Sequence, residues 1–158
     1  MDSENLKKLY KTCKYFYACF KINIIDDLYF SKKSDISAFC INEHLKDLQL
    51  EGFPKTINAF GLHTSQLNQL PGNLWLTGEI ALFDISNLSP LFSKIIRCDL
   101  FGAFIATDMT INEFAFLTHS QTIKRIYVTG KIYSSNKKTE VAPLEDILLH
   151  LLSADYLR

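Results

Sequence analysis

Apolar residues recur along this chain in one short pattern. Four segments carry an apolar residue, or a proline, at the first, fourth and sixth places and a glycine at the eighth. They are Leu45 to Gly52, Pro71 to Gly78, Ile95 to Gly102 and Ile123 to Gly130. The closing glycines stand 26, 24 and 28 residues apart. Alternation of this kind is the period of a β-strand with one face turned inward. Each segment is therefore predicted to be a strand. On that register Ile126 and Val128 point inward, and Arg125, Tyr127 and Thr129 point outward. A glycine at the close permits a tight turn or a positive φ.

The intervening stretches change to helical spacing. Ser3 to Lys14 carries a single stripe of Leu6, Leu9, Tyr10 and Cys13, with Ser3 as the N-cap. Tyr17, Phe20 and Ile22 fit a degraded first copy of the strand, followed by a helix around Ser34 to Asn42. A short helix is expected from Thr64 or Ser65, using Leu67 and Leu70. Asp84 is the candidate cap for a stripe of Ile85, Leu88, Leu91 and Phe92, which Pro90 limits to a short or 3₁₀-like turn. Thr110 and Glu113 have capping-box spacing, ahead of Ile111, Phe114 and Leu117. Phe116 falls off that stripe and is expected to pack toward a neighbouring unit. Ser134 to Lys138 reads as an exposed turn, and Pro143 opens a helix with Glu145 and Asp146 in its first turn. Leu152 to Leu157 begins a sixth strand.

A strand followed by a returning helix lays each strand parallel to the last. One such unit cannot cover its own apolar face, but stacked units cover each other. The expected class is α/β: a solenoid with a parallel sheet backed by helices. It forms one domain over residues 1–158, with a helical cap at 1–16 and about five repeats over 17–158, the last truncated.

Composition narrows the function. The 158 residues are 47% hydrophobic and 22% charged, which is globular, and the formal net charge is zero. No overall basic field draws the chain to nucleic acid. Lys7, Lys8, Lys11 and Lys14 alternate with apolar residues as a solvated helix face does. Four cysteines show no C-x-x-C spacing, and Cys98 is expected to be a small buried residue. The N-terminus has no apolar leader and no stretch approaches a membrane span, so an intracellular, cytoplasmic protein with reduced thiols and no membrane partner is expected.

The repeat resembles the leucine-rich repeat family from about Tyr17 onward. It departs at the inner turn, where the family carries Asn or Cys. Here those places hold Gly52-Phe53, Gly78-Glu79, Gly102-Ala103 and Gly130-Lys131. The segments Thr110 to Leu117, Ile123 to Val128 and Val141 to Leu148 also resemble the expanded roundworm proteins related to F-box-associated regions. In such proteins leucine-rich regions bind targets, and a separate F-box engages a ubiquitin ligase. The N-terminal helix here lacks the Leu-Pro entry of an F-box. The resemblance implies a substrate-recognition or adapter role.

The outward strand positions are Asp47, Gln49 and Glu51; Asn73, Trp75 and Thr77; Arg97, Asp99 and Phe101; Arg125, Tyr127 and Thr129. Trp75, Phe101 and Tyr127 are expected to stack, exposed, across three adjacent strands on a concave face beside Arg97 and Arg125. Aromatic residues and arginine dominate interface hot spots. Gln49, Trp75, Arg97, Asp99, Phe101, Arg125 and Tyr127 are therefore the candidate binding residues for a protein partner. No catalytic motif, metal-ligand spacing or cofactor motif is present. His44, His63, His119 and His150 are scattered and read as surface or helix-end residues, and Asp26-Asp27 reads as a solvated turn. The leading expectation is a protein-binding repeat module. The alternatives are a scaffold fragment or degenerate paralogue, suggested by the stop inside an unfinished repeat, and an unrecognised enzyme. A pocket joining Asp99, Arg97 and a histidine would favour the enzyme.

Overall fold

A computed structural model describes residues 3–12, 21–31, 59–135 and 139–157. The predicted strand at 45–52, with Gln49, and the predicted helix around 34–42 lie outside the described residues. The elements are α1 (Ser3–Thr12), β1 (Asn23–Ile25), β2 (Asp27–Ser31), β3 (Ala59–His63), a 3₁₀ helix (Thr64–Gln69), β4 (Leu74–Leu76) and β5 (Glu79–Phe83). Then follow α2 (Ser89–Phe92), β6 (Ile95–Cys98), β7 (Gly102–Ala106), β8 (Met109–Thr110), α3 (Ile111–Thr118) and β9 (Arg125–Val128). The last are β10 (Ile132–Tyr133), α4 (Leu144–Leu149) and β11 (Tyr156–Leu157).

The fold is α/β, with parallel sheets flanked by helices. A six-stranded sheet has the order β11-β9-β7-β5-β2-β3, a three-stranded sheet β1-β4-β6, and a two-stranded sheet β10-β8. Every pairing within these sheets is parallel. In the large sheet β3 lies outside β2, so the spatial order departs from the chain order at that edge.

Each predicted strand of 71–78 and 95–102 is the first of a pair. The apolar run Leu74, Leu76, Ile80 and Leu82 bends at Thr77-Gly78 and changes sheet, β4 going to the small sheet and β5 to the large one. β6 and β7 repeat this. The pattern at 123–130 falls differently. Its strand, β9, pairs with β7 in the large sheet: Arg125 lies beside Gly102, and Gly102 beside Glu79, at 23-residue steps. The copy at 123–130 is therefore equivalent to the stretches after Gly78 and Gly102's neighbour Phe101, not to the stretches before them. This corrects the strand-to-strand alignment by closing glycines.

The glycines themselves serve close approach. Neither Gly78 nor Gly130 has a positive φ. A Cβ at Gly78 would collide with the Asp26 carbonyl, and one at Gly130 with the backbone of Thr107. Among the described residues the left-handed non-glycine positions are Lys21, Asn73, Asp84 and Gln121. Asp84 thus turns the chain after β5 instead of capping a helix, and α2 starts at Ser89.

The inward face of the large sheet is Leu28, Phe30, Ile80, Leu82, Ala103, Ile105 and Ile126, all buried. It joins Leu74, Leu76, Ile95 and Leu100 with Leu67, Leu91, Phe114 and Leu117 from the helical side in one core. Each such side chain contributes about 1.5–3 kcal/mol. Local signals agree with this packing. Thr110 and Glu113 form the reciprocal capping box of α3. His63 caps the 3₁₀ helix: its Nδ1 accepts from the Ser65 N–H and its own N–H donates to Gln66. His119 and His150 end α3 and α4. Beyond β10, the Ser134 N–H donates to the Glu140 carbonyl (2.9 Å) and Tyr133 bridges Val141 antiparallel.

Candidate functional site

The outer face of the small sheet carries one row across its three strands: Ile24, Trp75 and Arg97. Trp75 is only 4% exposed, because its own neighbours cover it. The Arg97 guanidinium lies 4.2 Å from the indole centroid. The indole Nε1 donates to Asp99 Oδ2 at 2.9 Å, and Arg97 Nε lies 2.7 Å from the same oxygen. Three of the predicted binding residues therefore form one cluster. Its exposed member is Arg97, whose side chain is 53% open. The indole is its support, not its contact surface.

Phe101 and Arg125 meet at the bend between the sheets. Phe101 is 45% exposed, with the Arg125 guanidinium 5.0 Å from its ring. Arg125 Nη2 reaches Glu79 Oε1 at 3.2 Å. It does so across Gly102, which stands between them in the sheet and has no side chain to intervene. Tyr127 is 8% exposed and belongs to a different row, Tyr29, Ala81, Phe104 and Tyr127. Its ring stacks on Phe104 with 5.2 Å between centroids, and Phe104 meets Phe83 at 4.9 Å. The expected exposed stripe of Trp75, Phe101 and Tyr127 is thus corrected. Phe101 alone of the three is exposed, because Trp75 lies under Arg97 with its N–H on Asp99, and the phase of β9 puts Tyr127 in the second, aromatic cluster of the large sheet.

Asp26-Asp27 is likewise no solvated turn. Asp26 binds the Lys7 ammonium and accepts from Thr77 Oγ1 at 2.8 Å, which ties α1 to the junction of the sheets. Asp27 is 3% exposed and accepts from the Glu79 N–H at 2.9 Å. Burial pushes the Asp27 carboxyl up, partly offset by that N–H. Burial pushes Glu79 up to about 7, against the pull of Arg125 and with the repulsion of Asp27. Burial also raises the Cys98 thiol to about 12, consistent with an inert core residue.

The concavity nearest the predicted residues is a groove of about 570 Å³ between β6 and α3. From β6 and the residue after it come Ile96, Arg97, Cys98 and Asp99, and from α3 and its end Asn112, Ala115, Phe116, His119 and Ser120. Asn112, Ala115, Phe116 and His119 follow one helical face. Phe116 is held by an edge-to-face contact with Phe92 of α2 at 5.4 Å, as its position off the buried stripe implies. Ile96 is 53% exposed because the β4–β6 register slips there: Leu74 pairs with Ile95, but Trp75 pairs with Arg97. The extra residue is a bulge. Among the described residues β6 is a free edge of its sheet, so the groove combines apolar side chains with unpaired strand backbone. Sequence reasoning missed Ile96 and the α3 face. The signal for the first was the adjacent pair Ile95-Ile96, one apolar residue too many for the alternation.

Among the described residues no three His, Cys, Asp or Glu side chains are grouped to hold a metal ion, and no helix is long and apolar enough to cross a membrane. No family model, curated protein or solved structure matches the chain.

Proposed function

We propose that this chain is a protein-binding module that takes up an extended segment of its partner along β6, in the groove against α3. The observation that carries the reading is the bulged edge of β6, free among the described residues, which lines one groove with Phe116 and Ala115. An added strand gains affinity from main-chain hydrogen bonds and specificity from side-chain contacts. Ile96 and Phe116 supply the apolar contact, and Arg97, fixed by Trp75 and Asp99, supplies a preorganised cation. Preorganisation of this kind reduces the entropy lost on binding. The reading treats the strand–helix units as an irregular leucine-rich-repeat-like solenoid and fits a substrate-recognition or adapter role. Selection of displayed peptides by the purified chain tests it. Peptides chosen by the wild type should lose at least about tenfold in affinity, or ~1.4 kcal/mol, in Ile96→Asp with Phe116→Asp. Failure to enrich peptides, or equal binding by the folded double variant, contradicts it.

A second reading has its own observation: the groove brings Arg97, Asp99 and His119 together. That is the arrangement expected of an enzyme with a general acid or base. Against it, Asp99 Oδ2 is already engaged by both Trp75 and Arg97. Turnover of a panel of ester and phosphoester substrates, abolished by His119→Ala, would establish the enzyme instead.

A further inference from the structure

The groove along β6 turns one charge outward. Its titratable lining is Arg97, Asp99 and His119. The Arg97 side chain is 53% open and that of Asp99 only 23%. Asp99 is engaged by its own neighbours: Oδ2 accepts from the Trp75 indole N–H at 2.9 Å and lies 2.7 Å from Arg97 Nε. Arg97 keeps more in reserve. A guanidinium has five N–H donors, and the Nε–H is one of them. The four on Nη1 and Nη2 form a fork that matches a carboxylate. The indole, 4.2 Å from the guanidinium, fixes the plane of that fork. The opposite wall brings no negative charge. The one carboxylate of α3, Glu113, is held in its cap, where Oε2 accepts from the Thr110 N–H at 2.8 Å and the Thr110 hydroxyl at 3.1 Å. α3 and its end give the groove Asn112, Ala115, Phe116, His119 and Ser120. Lys94, directly before β6, donates to the Leu70 carbonyl at 2.6 Å, a neutral acceptor that cancels none of its charge.

We propose that the segment taken up along β6 carries an acidic side chain, aspartate or glutamate, opposite Arg97, with apolar residues beside it for Ile96 and Phe116. The inference rests on the strand-addition reading above and adds the chemistry of the partner. In an added strand the residue directly opposite Arg97 has its Cβ about 4.5–5.5 Å away. An acidic side chain there reaches the Nη fork without moving Arg97, which Trp75 and Asp99 already hold. A basic side chain there meets the open guanidinium first and Asp99 only beneath it, so like charges oppose it.

A random library of displayed peptides, selected on the purified wild-type chain, tests the proposal. The enriched peptides should share an aspartate or glutamate at a fixed spacing from an apolar residue. Synthesised singly, such a peptide should bind the wild type about tenfold more tightly than its copy with Asn or Gln at that place, and the gap should shrink to less than about twofold in Arg97→Gln. Circular dichroism checks that this variant folds. If it does not, Arg97→Lys, which keeps the charge without the fork, should narrow the gap. Peptides that depend on Ile96 and Phe116 but show no acidic preference overturn this inference and leave the strand-addition reading standing. So do peptides enriched in lysine or arginine at that place, or an acidic preference that persists undiminished in the folded Arg97 variant. No enrichment at all, or binding indifferent to Ile96→Asp with Phe116→Asp, overturns both.

Discussion

Raising the pH through neutrality should weaken the fold at Glu79. This carboxyl sits on β5 at 5% exposure, on the face of the large sheet turned away from the main core. Burial disfavours its charged form most, Arg125 opposes that, and Asp27 reinforces it, so the carboxyl moves from 4.5 up to about 7. The folded state thus holds the proton more tightly than the unfolded chain. Between about 4.5 and about 7 it binds more protons, so stability is highest below that window and falls as the pH rises through it. The interval corresponds to about 3 kcal/mol at most. Asp27, also raised by burial, acts in the same direction starting at lower pH. Urea unfolding at a series of pH values, for wild type and Glu79→Gln, isolates the contribution. The wild type should lose stability relative to the variant across that window, and the difference should level off above it. Parallel profiles, or a wild type that gains on the variant with rising pH, would refute the assignment of Glu79 as a buried carboxyl that is costly to ionise.

Three further outcomes follow from the packing. Gly130→Ala should destabilise by about 1–3 kcal/mol, as overpacking against the Thr107 backbone does, and thermal unfolding should show it as a lowered midpoint. Phe104→Ala should cost about 3–5 kcal/mol by chemical denaturation, because Phe104 joins both Tyr127 and Phe83 in the second cluster. Thr110→Ala should cost about 1 kcal/mol in the same assay, since it removes the side-chain half of the α3 capping box.

The α/β class was legible because strand and helix periods alternate along the chain. Caps such as Thr110 with Glu113 were legible because they depend on residues only three positions apart. The phase of the units was not. Leu74, Leu76, Ile80 and Leu82 carry the same alternation on both sides of a bend, so an h-x-h match fits either strand of the pair. Aligning by glycine chose the first strand at 71–78 and 95–102, where the 123–130 copy supplies the second. That slip moved Tyr127 from the Phe104 row to the Trp75 row. Arg97, Asp99 and Trp75 meet in either phase, because β4 and β6 are neighbours in one sheet and Asp99 directly follows β6. The buried state of Trp75 depends on a 4.2 Å contact with Arg97 and on a hydrogen bond that its indole N–H donates to a residue 24 positions away, which local pattern does not encode. The Glu79–Arg125 pair was hidden for the same reason, since it spans 46 positions and relies on the missing side chain of Gly102.

β6 is proposed to receive an extended segment of a partner. Hydrogen–deuterium exchange on the chain with and without a peptide selected by it tests this most directly. On binding, backbone amides over Ile95–Asp99 should gain protection, together with slower exchange along the Asn112–His119 face of α3. Protection confined to Tyr156–Leu157, or a bound peptide that leaves the β6 amides unchanged, would contradict it.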